Sequence, residues 1–185
     1  GAHAGRIQAV AVLPDGKTVI SAGADGRVRT WIPKSQSNIT FPTHPGPVRV
    51  VVRSSDGKLL ATGSNDGKLR LLTANTGKMI RTLDGLAGTI TAASFARNAT
   101  HLVAGNNTGQ VRIWNLADGS VVGQAAVHTG AVTGVALHPD GKRLVTAGTD
   151  GAWKLWALPL KTPANKNGKK SDKKDKTTAK PAEPI

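Results

Sequence analysis

Chemistry in this chain has to come from few side-chain types. Five histidines, eleven acids and a scatter of Ser and Thr hydroxyls are the reactive stock, and cysteine and tyrosine are absent. A histidine beside a hydroxyl and a carboxylate is the composition of acyl-transfer catalysis, where the imidazole takes the hydroxyl proton and the carboxylate orients the ring. Spacing alone yields three such sets: His3 with Ser21 and Asp25, His44 with Thr62 and Asp66, and His128 with Thr146 and Asp150. In each, 18 residues separate histidine from hydroxyl and 4 more lead to the aspartate. A catalytic triad is a single local exception within a fold, so a set that recurs three times at one spacing belongs to architecture rather than reaction.

Other routes to catalysis close quickly. The absence of Cys removes disulfides, thiolate metal sites and a cysteine nucleophile. No P-loop, dinucleotide fingerprint, zincin helix or complete EF-hand loop can be found. His101 opens a strand-like stretch and His138 precedes Pro139 in a turn, so both are expected at the surface. The expectation is a protein with no catalytic residue, no cofactor and no metal ligand, and hence not an enzyme.

The elements that position these residues are repeats. Aligned on Trp31, Leu72, Trp114 and Trp156, four units stand 41, 42 and 42 residues apart, and their first positions are His3, His44, Leu86 and His128. Each unit alternates short Val-, Leu- and Ala-rich runs with Asp-Gly dyads. All eight acids before residue 159 stand before a glycine: Asp15, Asp25, Asp56, Asp66, Asp84, Asp118, Asp140 and Asp150. Asp-Gly is a strong hairpin signal, because Gly supplies positive φ and the Asp carboxylate caps the turn. In the last unit this predicts antiparallel strands over 131–137, 143–147 and 153–158. A fourth, weaker strand is expected between units, over 39–42, 79–83 and 121–127. Four short antiparallel strands per unit of about 40–45 residues make the blade of a β-propeller.

The pattern resembles the WD40 family. Its repeat links an early His, a Ser or Thr ten residues before a Trp and an Asp six before it in a hydrogen-bonded tetrad. Units one and four match with His3, Ser21, Asp25 and Trp31, and with His128, Thr146, Asp150 and Trp156. Unit two keeps His44, Thr62 and Asp66 but has Leu72 for Trp; unit three keeps only Trp114, with Leu86, Ala104 and Thr108 elsewhere. The resemblance implies an all-β fold of four-stranded antiparallel blades, about four of them, the last lacking its outer strand, in an open arc or partial propeller. The units run 1–42, 43–84, 85–126 and 127–158. The Ala-, Val- and Gly-heavy repeats resemble bacterial arrays of the family.

Function follows from the same resemblance: a non-catalytic scaffold for protein partners. Partners of WD40 proteins dock on the face carrying the repeat His and the Asp-Gly turn. By position that rim here includes Arg6, Arg27, Lys68 and Gln110, with Asn65, Asn107 and Thr149. A modestly basic rim suits an acidic partner. One alternative is a propeller module accessory to an enzyme domain on a longer polypeptide. Another is nucleic-acid association through residues 159–185, whose eight Lys against three acids and low apolar content read as a disordered tail or linker. Nucleic acid is not the expected partner, since aromatics for base stacking are scarce. The row Arg29, Arg70, Arg112 and Lys154, two residues before each unit's end, is expected to lay its stems over apolar surface with the heads in water.

No run approaches the length of a membrane span, and nothing at the N-terminus reads as a signal peptide, although the chain begins with Gly rather than Met. Four blades leave end faces exposed, so the expectation is the C-terminal part of a longer propeller whose closing strand lies upstream. The alternative is a chain that completes its ring with a copy of itself.

Overall fold

The turns cut the chain where the Asp-Gly dyads stand. Asp15 accepts from the backbone N–H groups of Lys17 and Thr18 and from the Thr18 hydroxyl, and Asp56, Asp118 and Asp140 cap their turns in the same manner. These bonds hold all four carboxyls below the ordinary carboxylate range. In Asp140 the Lys142 N–H is the largest influence, and its value falls to about 2. Gly26, at φ +72°, also brings its turn so close to the next unit that a Cβ would lie 2.6 Å from the His44 carbonyl oxygen.

Between the turns lie strands. The computed structural model describes residues 2–32 and 39–160, and among the described residues it holds 14 strands and no helix. Blade one contains β1 (Ile7–Val12), β2 (Val19–Gly23) and β3 (Val28–Trp31). Blade two contains β4 (Val48–Arg53), β5 (Leu59–Ser64), β6 (Leu69–Thr73) and β7 (Met79–Leu83). Blade three contains β8 (Ile90–Phe95), β9 (His101–Asn106), β10 (Gln110–Asn115) and β11 (Val121–Ala126), and blade four β12 (Val132–Leu137), β13 (Arg143–Gly148) and β14 (Trp153–Ala157). Every sheet is antiparallel and strictly sequential.

Blades stack through their first strands: β1 lies beside β4, β4 beside β8, and β8 beside β12. The arc does not close into a ring. Because side chains alternate across a strand, each blade has a leading face toward the blade before it and a trailing face toward the blade after it. Three apolar clusters fill the junctions. Ile20, Ala22 and Val28 of blade one meet Val48, Val51, Leu60 and Leu72 of blade two. Ala61, Leu69, Leu71 and Leu83 meet Ile90, Leu102 and Trp114. Val103, Val111 and Ile113 meet Val132, Leu144 and Trp156. Leu160, beyond the last strand, is buried in this third cluster.

One expectation is corrected. Residues 39–42 form no strand, so among the described residues blade one has three strands, as blade four does. Pro42 has no N–H to give to a ladder; the segment is instead anchored by buried Phe41 and by the Ile39 N–H, which donates to Thr30 Oγ1 at 3.0 Å. Trp153 takes the place held in the other units by Val28, Leu69 and Val111. Those three are buried between blades, whereas Trp153 is 72% exposed, with no described blade packed behind it.

Candidate functional site

In blade four the four side chains of the repeat set form one connected chain. Trp156 Nε1–H donates to Thr146 Oγ1 at 3.0 Å. Thr146 Oγ1 lies 2.9 Å from His128 Nε2, and His128 Nδ1 lies 2.9 Å from the Asp150 carboxylate. An Nδ1–H tautomer satisfies every partner: the hydroxyl accepts from the indole and donates to Nε2, and the ring donates to the aspartate. Blade one repeats this, with Trp31 Nε1 to Ser21 Oγ at 2.7 Å, Ser21 Oγ to His3 Nε2 at 2.8 Å and His3 Nδ1 to Asp25 Oδ1 at 2.9 Å. Burial works against the Asp25 charge, yet hydrogen bonds from His3 and from the Ala4 and Arg27 N–H groups bring its carboxyl down to about 2. Asp150 is lowered through the same kinds of bond, again against burial.

The inner blades are wired differently. In blade two His44 Nε2 meets Thr62 Oγ1 at 2.9 Å, but His44 Nδ1 is buried without a partner and Leu72 supplies no donor. Asp66 bonds Arg70 Nη2 at 2.7 Å instead. Burial and then the neighbouring Arg70 charge push His44 down to about 4. In blade three Leu86 and Ala104 are buried apolar residues, and Trp114 Nε1 donates to the Asp84 carbonyl at 3.3 Å. Thr108, at the aspartate position, is exposed; only its backbone N–H is used, donating to Asn106 Oδ1 at 3.1 Å.

One position that sequence reasoning passed over accounts for the split. Eight residues before the terminal anchor stand Gly23, Ser64, Asn106 and Gly148. In blade four a Cβ on Gly148 would lie 2.5 Å from His128 Cγ, and in blade one a Cβ on Gly23 would fall against the His3 ring. The ring reaches its aspartate by lying flat over a residue with no side chain. Ser64 fills that space in blade two, and the His44–Asp66 bond is missing. In blade three the buried Asn106 takes over the turn, with Nδ2 donating to the Ala87 carbonyl at 2.7 Å and Oδ1 accepting from the Thr108 and Gln110 N–H groups. The visible signal was a glycine midway between the hydroxyl and the aspartate, two residues from each, in the complete units only; in unit two the glycine stands one place earlier, at Gly63, and Ser64 takes the midpoint.

The row of bases departs from expectation as well. Arg112 donates to the Asp84 carbonyl at 3.2 Å and to the Gln124 side chain, and Lys154 Nζ donates to the Val127 carbonyl at 2.6 Å. Arg70 pairs with Asp66, and Arg29 lies 3.7 Å from Asp25. These heads tie strands and linkers together rather than reaching into water.

The rim residues lie where the turns place them. Arg6, Arg27, Asn65, Lys68, Asn107, Gln110 and Thr149 are all exposed. Arg6 and Arg27 flank one turn, since the Ala24 N–H donates to the Arg6 carbonyl and the Gly23 N–H to the Arg27 carbonyl. Lys68 Nζ stands 3.5 Å from Asp84. Arg49, not anticipated, joins this edge: its Nε donates to Asn65 Oδ1 at 3.0 Å and its Nη1 reaches Gln8 of blade one at 3.5 Å. Asn107 caps the Thr89 N–H, the Thr149 N–H donates to the Ala131 carbonyl, and Gln110 Oε1 accepts from Asn106. Of the remaining histidines, His138 is exposed beside Asp140 at 3.0 Å, and His101 Nδ1 lies 2.8 Å from the Thr100 hydroxyl. Among the described residues no cluster of His, Asp or Glu is placed to hold a metal ion, and no helix is long and apolar enough to cross a membrane.

An arc of sequential antiparallel blades pinned by Trp–hydroxyl–His–Asp chains is the architecture of a WD40 β-propeller. The family model for the WD domain, G-beta repeat, matches residues 1–31, 35–72, 77–115 and 119–157, and the chain belongs to this family. Among curated proteins it is similar to the angio-associated migratory cell protein of Homo sapiens and of Canis lupus familiaris, each 38% identical over 73 residues, covering 37% of this chain and 17% of the relative. Among solved structures it is similar to U3-55K, with TM-score 0.76 and 26% identity over 86% of this chain and 51% of that one. A structure of the RRP9 WD40 repeats has TM-score 0.76 and 27% identity, covering 86% of this chain and 50% of that one. The chain thus spans about half the length of those structures and less than a fifth of the curated relatives.

Proposed function

We propose that this chain is a non-catalytic interaction scaffold whose turn-bearing rim docks an acidic segment of a protein partner. The observation that carries the reading is how charge is distributed at the rim's first two blades. Asp25 is turned inward to His3 and backbone N–H groups, and Asp66 to Arg70, while Arg6 and Arg27 stay exposed. Arg49 adds a third guanidinium on the same edge. A field of one sign steers an oppositely charged partner and weakens with salt.

A catalytic role has poor support in the histidine sets. Both ring nitrogens of His128 are committed, and the Thr146 hydroxyl already accepts from Trp156, so neither a free base nor an activated nucleophile faces solvent.

A fluorescent polyglutamate peptide titrated by anisotropy tests the rim. Binding should fall at least about tenfold in the R6E/R27E variant and decline steeply with added salt. Equal binding by wild type and variant would remove the rim from the reading.

A further inference from the structure

The two inner blades differ at one corner in how their charges are answered. Shifted by 42 residues, Asp66, Lys68, Arg70, Thr82 and Asp84 of blade two become Thr108, Gln110, Arg112, Gln124 and Ala126 of blade three. The strand pairing agrees, with Arg70 opposite Thr82 and Arg112 opposite Gln124. In blade two each cation has its anion, Arg70 with Asp66 at 2.7 Å and Lys68 with Asp84 at 3.5 Å. In blade three both acids and the lysine are replaced by neutral residues, and the arginine remains.

Arg112 is half-buried, and its guanidinium reaches neutral acceptors, the Asp84 carbonyl and the Gln124 side chain. The Asp84 carboxylate is turned to Lys68 instead. A guanidinium has five donors, so these two bonds leave others to spare. Burial lowers the Arg112 pKa from the ordinary arginine value, with no carboxylate acting the other way. The group stays protonated all the same, and its charge persists. It occupies the space that a side chain at Gly85 would take. Beside it lies a cavity of about 380 Å³, walled by Gln110, Gln124 and the apolar Leu86, Val111 and Ala126, in which Arg112 is the one charged lining group.

We propose that this cavity of blade three binds a carboxylate, with the Arg112 guanidinium as its counter-charge. The Gln110 and Gln124 amides, whose oxygens are already engaged by Asn106 and Arg112, supply further N–H donors. Blade two selects carboxylate over phosphate, because the guanidinium at the same position there takes an aspartate. A phosphate dianion would also meet a single cation in the lining, which leaves half of its charge desolvated and unpaired. The apolar wall favours an acidic side chain, with its methylenes and neighbours, over a bare ion. The site does not rest on Arg6 and Arg27, which belong to blade one.

Amide NMR on the isotope-labelled chain tests this, titrated separately with a blocked Ala-Glu-Ala tripeptide, sodium acetate and inorganic phosphate. The Gln124 and Ala126 signals should move with the tripeptide and saturate with a Kd on the order of 1 mM, as befits one charge-assisted contact with apolar support. The neutral Ala-Gln-Ala analogue should leave them still. Arg112→Gln should weaken binding at least about tenfold. Thr108→Asp keeps the arginine and gives it the carboxylate that blade two has; it should match wild type in circular dichroism and weaken binding by a similar factor. R6E/R27E should bind like wild type, which separates failure of the rim reading from failure here. A tripeptide held more tightly than acetate makes a peptide side chain the source, and the reverse makes it a small free carboxylate; either upholds the site. Signals that stay still to tens of millimolar, binding undiminished in R112Q or T108D, or phosphate held more tightly than both carboxylates would each overturn it.

Discussion

Blades one and four hold complete Trp–hydroxyl–His–Asp chains and leave an apolar face open; blades two and three lack complete chains and are covered on both faces. The contrast shows two ways of fixing the same sheet. A blade sandwiched between neighbours is held by apolar burial, and its polar positions drift to Leu72, Leu86 and Ala104. In blades one and four, where one face meets no other described blade, a satisfied polar chain runs across the blade's own strands instead.

Breaking the apolar side of this comparison should give the largest effect. Trp114→Ala removes a side chain only 1% exposed and should cost about 3–5 kcal/mol in urea unfolding. Trp31→Ala, at an open face, should cost less than half as much, and equal losses would contradict the contrast.

The next effect is a pH dependence specific to blade two. His44 in the fold ionises near 4 against an ordinary 6.5, chiefly because it is buried. Between those values the unfolded chain takes up a proton that the native one refuses, so stability is full above about pH 6.5 and falls as pH drops toward 4, by about 3 kcal/mol. His44→Leu, which copies Leu86 of blade three, should flatten that part of the stability profile.

Glycine at the switch position sharpens the comparison further. Gly148→Ser should push the His128 ring off Asp150 and cost about 2–3 kcal/mol in thermal unfolding, the range for a lost charge-assisted bond. An imidazole N–H signal hydrogen-bonded in wild type should vanish from the proton spectrum. The reverse change, Ser64→Gly, should cost less than about 1 kcal/mol. Paired with Arg70→Lys, it should bring a His44–Asp66 bond into being, visible as a new N–H signal.

Much of this was legible in the sequence because it repeats. Four in-phase units with Asp-Gly turns determine strands, order and sheet faces, and residues 79–83 form β7 as the spacing predicts. What escaped was set by neighbours rather than by pattern. Residues 39–42 carry strand-like Ile and Phe, but Phe41 is drawn into the core and Pro42 cannot donate. The bases at Arg112 and Lys154 looked solvated until the linker carbonyls of Asp84 and Val127 came within reach. His44 matched its motif in type and spacing, and only Ser64 beneath it and Arg70 beside Asp66 left its Nδ1 unpaired. The segment 161–185 lies outside the described residues.

The capped turns have a colloidal consequence. Asp15, Asp56, Asp118 and Asp140 all give up their protons below the ordinary carboxylate range, so these turns keep their charge in mild acid. With a formal charge of +14 at neutral pH, the molecule stays a polycation from weakly acidic to weakly alkaline buffer. It should stay on a cation exchanger throughout that span and leave it with salt rather than with pH.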